Sequence, residues 1–221
     1  MIEEAGKIIE TVQQNGSPFL LLGRKGGGLQ ELDYKEQCNL KRRGKRLQEA
    51  GKVEFLHPDG SGNLKDNLND FIRLHQTRWE KKGEKGCFHN DPFRAFHKEI
   101  SEIASQKGWL FLEFLSLNGE RIAGIYGFQY GETAFFYLPG LNPDRMPNTS
   151  PGKLLLFESI RRAEEKGVLE YDLLKGTYDY KLAWATGIRR ALTLRIFNRT
   201  FRAVFLKTLE SAKTLIKLGV R

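Results

Sequence analysis

The sequence predicts an α/β (α+β) protein with a central, mostly antiparallel mixed sheet flanked by helices, and three observations carry that expectation. Between Trp109 and Leu138 three strand-like runs are joined by Asn118-Gly119 and by Gly131-Glu132, the chemistry of tight hairpin turns. From Pro151 to Asn198 helical and extended patterns alternate. The 221 residues are 40% hydrophobic and include 15 Phe and 7 Tyr, enough for one substantial core.

In chain order, residues 2–14 place Ile2, Ala5, Ile8, Ile9 and Val12 on one side and read as a short helix. Ser17 to Leu22 reads as a strand, and Arg24 to Gly28 as a flexible break. Its three glycines lack the following GK[ST] of a phosphate loop. Residues 1–34 form a short N-terminal segment and linker, and 35–221 the main domain. A basic helix, YKEQCNLKRRGKRLQEAGK, stops at Gly51, and Val53 to Leu56 is a strand. Leu68, Phe71, Ile72, His75 and Trp79 mark an amphipathic helix ending near Gly83, with His75 on its apolar face as a core or boundary residue. A second helix starts at Asp91-Pro92 and turns Phe93, Phe96, Ile100 and Ile103 inward.

The meander follows, with Gly124 and Gly127 marking a bulge or a close approach in its middle strand. Its last strand is expected to end at Pro139-Gly140. Ser150-Pro151-Gly152 then opens a helix running to Lys166. Ser150 can cap, Pro151 suits the first turn, Gly152 admits a ligand to the backbone, and Lys153 and Leu154 complete that turn, so the helix start is either an anion site or an ordinary capped end. The strand Glu170 to Leu174, a helix Tyr178 to Ala185, the strand Arg190 to Asn198 and an amphipathic helix from Phe201 close the chain.

The net charge of +9 is unevenly placed: Lys35–Lys52 and Arg189–Arg221 together hold +13, leaving about −4 elsewhere. Such segments either draw in an anionic polymer such as RNA or polysaccharide, or an anionic membrane surface, or form solvated faces. Cys38 and Cys87 sit in unrelated contexts, which fits a reducing compartment, and the spacing of His75, Cys87, His89 and His97 matches no common metal site. No run approaches the roughly 18 apolar residues of a spanning helix, so a soluble, cytoplasmic chain is expected.

The segments DFIRLHQTRWEKKG, FRAFHKEI, KGWLFLEFLSLNGERIAGIYGFQYGETAFFYLPGLNP, SPGKLLLFESI and EYDLLKGTYDYKLAWATG resemble the acyl-CoA-dependent N-acyltransferase superfamily, GNAT. Within it they look like the acetyltransferase branch associated with cellulose and exopolysaccharide genes, related to the Fem-type aminoacyl transferases. The resemblance spans roughly residues 35–198 and rests on the LHxxRW, SPGxLLL and G-x-x-x-YK-x-x-W blocks. It implies a GNAT-like fold, acetyl-CoA as co-substrate, and an amine of a sugar, sugar nucleotide or envelope precursor as acceptor. Members usually carry a longer N-terminal half, so a second subunit, as in a homodimer, is one source of the missing lobe.

The family's Q/R-x-x-G-x-G/A pyrophosphate loop is replaced here by N-T-S-P-G-K. That leaves an aminoacyl-tRNA donor of the Fem type, and an inert module binding RNA, a membrane or a synthase partner, as the other readings. For acyl transfer, Asp172 is placed to accept a proton or orient the amine, Tyr180 to donate one, and Lys181 to stabilise an oxyanion or phosphate. The alternatives are a packing role for Tyr180, a surface charge for Lys181, and turn capping or pairing with Lys175 for Asp172. Ser150 to Leu154 would hold the cofactor, and Tyr126, Gln129, Tyr137 and Lys175 would meet the acceptor. Trp184 is expected in the core.

Overall fold

The computed structural model describes residues 3–4, 7–13, 16–23, 27–58, 63–198, 200–202 and 205. The chain divides into two compact units, 17–188 and a second formed by 1–16 with 189–221. In the second, β1 (Glu3–Glu4) and β2 (Lys7–Gln13) pair antiparallel, and β2 also pairs antiparallel with β10 (Leu192–Asn198). The helix expected over 2–14 is therefore two strands. Ile8, Ile9, Thr11 and Val12 are β-branched, and the register Leu192↔Gln13 to Asn198↔Lys7 supplies the partner that local periodicity could not reveal. Of the helix expected from Phe201, only Phe201, Arg202 and Phe205 are described, all helical, and the remainder of that expectation lies outside the described residues.

In the larger unit the elements are β3 (Ser17–Leu21), α1 (Tyr34–Glu49), β4 (Val53–Leu56), α2 (Leu64–Glu80), α3 (Asp91–Gln106), β5 (Leu110–Leu117), β6 (Glu120–Tyr130), β7 (Thr133–Leu141), α4 (Pro151–Glu165), β8 (Glu170–Asp172), α5 (Asp179–Leu182) and β9 (Gly187–Arg189). They form a seven-stranded sheet in the order β4-β5-β6-β7-β8-β3-β9. The expected meander is β5-β6-β7, and Ser17–Leu21, read from sequence as part of a segment before the main domain, lies inside this sheet. β7 and β8 run parallel, joined across α4, while β8 and β3 run antiparallel. Helices α1, α2 and α3 start on Asp33, Asn63 and Asn90, each accepting a first-turn backbone N–H.

Two clusters fill the two faces. On one, Leu40 and Leu47 of α1 and Leu155 and Ile160 of α4 pack on Leu115, Ile125 and Phe136. On the other, Phe71 and Leu74 of α2 with Phe88 and Phe93 pack on Leu112, Phe114 and Tyr126. Trp184 is buried in the first.

The element that positions the site is β7. Its register against β6 slips at one point: Gly127 faces Phe136 and Tyr126 faces Leu138, so Tyr137 is an extra residue and the strand bends there. Pairing of β7 with β8 covers Thr133–Phe135 against Glu170–Asp172, and β7 then runs on to Leu141 while the chain beyond Asp172 turns away. Pro139 and Gly140 thus lie inside the strand and do not end it. A proline is tolerated where a strand has lost its neighbour on one side, because its missing N–H interrupts no ladder. Gly140 lets α2 close on β7: a Cβ there would stand 2.9 Å from Leu74 Cβ and 3.1 Å from the His75 nitrogen.

Candidate active site

Where β7 parts from β8 a cavity of about 320 Å³ opens, bounded by Gly124 and Ile125 of β6, Phe136, Pro139, Gly140 and Leu141 of β7, the start of α4, and Tyr180. Its lining is largely apolar, and its cations are Arg78 from the last turns of α2, Arg145 from the loop after β7, and Lys153. Arg145 Nε donates to Glu120 at 3.1 Å, and Lys153 Nζ donates to Glu36 of α1 at 2.7 Å. Burial, the largest single influence, pushes the Glu36 carboxyl up, but the Lys153 contact, a hydrogen bond with Asn39 and the Arg43 charge together hold it below its ordinary value.

The loop into α4 is conformationally specific. Met146 and Ser150 both adopt left-handed backbone, at φ 52° and 50°, on either side of a 3-10 turn over Pro147–Thr149. Two non-glycine residues in that region mark a loop fixed by its surroundings. Thr149 Oγ1, buried, donates to the Met146 carbonyl at 2.7 Å. Contrary to the expectation of a side-chain cap, Ser150 makes no such bond to the first turn; its carbonyl accepts the Lys153 and Leu154 N–H groups at 2.9 and 3.3 Å. Gly152 faces open space, with nothing within 4 Å of where a Cβ would stand. Its amide belongs to the first turn, which has no intrahelical acceptor, so the positive end of α4 meets the cavity.

Of the residues expected at a cofactor, Ser150, Pro151, Gly152 and Lys153 line the cavity. Leu154 turns into the core, and Leu156 takes the lining position. Of the three expected to react, Tyr180 lines the cavity. Burial, the largest influence, raises its phenol pKa, the Arg78 charge pulls it back down, and Tyr178 raises it further.

Asp172 and Lys181 stand behind the wall. Lys181 is 6% exposed, and its ammonium donates to the carbonyls of Leu173, Leu174 and Lys175 at 2.6, 3.3 and 2.9 Å. Asp172 accepts the Leu174 N–H at 2.7 Å, the capping alternative to a catalytic role, and so fixes a residue at φ 57°. Burial lowers the Lys181 pKa and the Asp172 charge opposes that. The two together hold the turn from β8 into α5.

The expected acceptor residues are dispersed. Tyr126 is fully buried on the α2–α3 face, 3.1 Å from His97 Nδ1 and 3.0 Å from Ser101 Oγ, with burial the main cause of a pKa raised to about 12. The bulge turns Tyr137 to the same face, 3.3 Å from His97 Nε2. Gln129 lies beside Glu113 and Arg162, away from the cavity, and Lys175 is exposed on the turn. Sequence reasoning missed Arg78, Arg145 and Asn142. Arg78 sits inside the LHxxRW block, which was its one signal, and the loop residues carry none.

His75 is 2% exposed; its Nδ1 lies 2.9 Å from the Pro139 carbonyl and its Nε2 3.2 Å from Cys87 Sγ. A carbonyl only accepts, so Nδ1 holds the proton and Nε2 faces the thiol as acceptor. Burial lowers the pKa of both His75 and His97. In the unfolded chain both titrate near 6.5, so below about that pH the unfolded state takes up protons the folded state refuses. Stability is full above that value and falls as pH drops towards the lowered folded pKa values. Urea unfolding at pH 5.5 is therefore expected to show a lower midpoint than at pH 7.5; equal midpoints would remove the two histidines from the stability balance.

A family model described as "Acetyltransferase (GNAT) domain" matches residues 35–182. The chain belongs to the GNAT acetyltransferase-domain family. No curated protein matches this GNAT chain. Among solved structures, FemX superposes with a TM-score of 0.60 at 10% identity, over 82% of this chain and 60% of its own. A C-terminal domain assigned to a lysylphosphatidylglycerol synthetase of Agrobacterium fabrum gives 0.58 at 12%, over 90% and 65%. L-PGS of Bacillus licheniformis gives 0.54 at 11%, over 96% and 68%. At these identities the likeness is one of fold, and this GNAT chain spans under two thirds of the length of the first two.

Proposed function

We propose that residues 17–188 form an acyltransferase that moves an acyl group, acetyl in the simplest case, from acyl-CoA to a primary amine. The observation that carries this reading is the cavity at the parting of β7 and β8, with the open first turn of α4 and three basic side chains on its walls and the Tyr180 phenol among its lining groups. CoA supplies an apolar arm for the Phe136–Leu156 lining and phosphates for the helix start. The neutral amine nitrogen bonds to the thioester carbonyl carbon, the C–S bond breaks, the departing thiolate takes the Tyr180 proton, and the proton shed by the nitrogen returns through solvent to the Tyr180 oxygen. Burial keeps that phenol protonated until the leaving group needs it. Asp172 and Lys181 act as positioning residues by fixing the turn that leads into α5. For the acceptor, the resemblance to the exopolysaccharide branch favours an amino sugar or its nucleotide.

Thermal unfolding with CoA, acetyl-CoA and polyphosphate tests the donor. A ligand at about a hundred times its Kd adds roughly 2.7 kcal/mol to native stability. Both CoA species should raise the midpoint and polyphosphate should not. Gly152→Asp, placing a carboxylate in open space, should keep its own midpoint and lose the shift; no response of the parent protein to either CoA species sinks the CoA reading. The second reading, an aminoacyl-tRNA donor, draws on α1, where Lys41, Arg42, Lys45 and Arg46 are exposed and Glu36 meets Lys153 at the cavity. It predicts transfer from charged tRNA that weakens steeply with salt.

A further inference from the structure

Tyr178 is 63% exposed, yet its ring is fixed from several sides. It lies against the backbone of Gly176, where a Cβ would stand 2.7 Å from Tyr178 Cε2 and where φ is +112°. It runs nearly parallel to the Tyr180 ring, at 13° and 6.1 Å between centroids. The Lys181 ammonium stands 5.9 Å from its centroid. The Tyr178 carbonyl accepts the Lys181 and Leu182 N–H groups at 2.8 and 3.0 Å. The turn beneath is the one held by the three Lys181 bonds and by Asp172. A surface tyrosine ordinarily swings free, whereas here a buried cation and a left-handed glycine hold an open aromatic face beside the phenol that lines the cavity.

We propose that Tyr178 is the acceptor platform: a pyranose ring carrying the amine lies on its exposed face. This rests on the acyltransferase reading above. The C–H face of a pyranose is weakly electropositive and complements the negative face of an aromatic ring. Thr177, Asp179 and Lys175, exposed and within three residues of Tyr178 in the chain, offer hydrogen bonds to sugar hydroxyls. The Asp179 carboxylate attracts the ammonium of an amino sugar and repels a phosphodiester, which favours a sugar over a nucleobase. Tyr178 is thus a specificity-determining residue, separating ring-borne amines from linear ones.

Steady-state kinetics with glucosamine and with a linear amino alcohol test this on the full chain. In Tyr178→Ala, KM for glucosamine is expected to rise about tenfold with kcat within about twofold and KM for the linear amine unchanged. Tyr178→Phe keeps the ring face and the parent KM. An unchanged KM for glucosamine in the Ala variant, or an equal rise for both amines, overturns the proposal. Saturation-transfer NMR decides the matter even if no acyl transfer is found. Saturation of glucosamine ring protons by the parent protein and its loss in Tyr178→Ala support the platform and leave only the transferase reading at fault. No sugar saturation, or contact by the base of adenosine monophosphate alone, overturns it.

Discussion

Tyr180→Phe is expected to lower kcat and kcat/KM together by about a hundredfold or more while leaving the CoA-induced rise in unfolding midpoint intact. The size follows from the usual contribution of a positioned general acid, and the parallel loss marks an interaction made in the transition state. Phe keeps the ring that packs against the core and removes only the hydroxyl, so a loss of donor binding in this variant would move Tyr180 from chemistry to packing. Stopped-flow release of thiol under saturating donor reads the step directly. Because burial raises the phenol pKa above its ordinary value of 10, the parent enzyme should not lose rate through this group as pH rises towards 10.

Lys181→Ala is the second large effect, and it is expected first in stability. The substitution leaves the carbonyls of Leu173, Leu174 and Lys175 without their donor and removes the Lys181 charge that faces Asp172. Stranding buried groups in this way costs about 3 kcal/mol, or roughly 6–12 °C in Tm for a chain of this size. Lys181→Met, which restores much of the volume without the charge, should fail to recover it. Denaturant unfolding of both variants separates this role from direct catalysis: unchanged stability with lost turnover would return Lys181 to the reacting groups.

Much of the fold was legible because its signals are local. The Asn118-Gly119 hairpin, the helix start at Asp91-Pro92, and the spacing of Leu68, Phe71 and His75 depend on neighbours a few residues away. What failed depends on partners far along the chain. Residues 7–13 become a strand because Leu192–Asn198 lies beside them, and Pro139 stays in a strand because β8 has already turned off. The site divides on the same line. Ser150 to Lys153 line the cavity, as the chemistry of a helix start suggests, whereas Tyr126 and Tyr137 face away from it: strand alternation leaves the face of Tyr126 open, and the inserted residue in β7 is Tyr137 itself. The Lys181 contacts are three carbonyls of a turn, and no side-chain pattern announces backbone acceptors.

The open margin of β7 has a consequence for association between molecules. An unpaired strand edge is a template on which another extended chain can add itself, and the stretch of β7 beyond its pairing with β8, Phe136 to Leu141, presents such an edge. Pro139 removes a donor from the middle of that edge, and His75 already occupies the Pro139 carbonyl. A foreign strand arriving there would find the rung missing on both counts. The proline that the departure of β8 admits into β7 thereby guards that edge against capture, and the gap stays available to a small molecule.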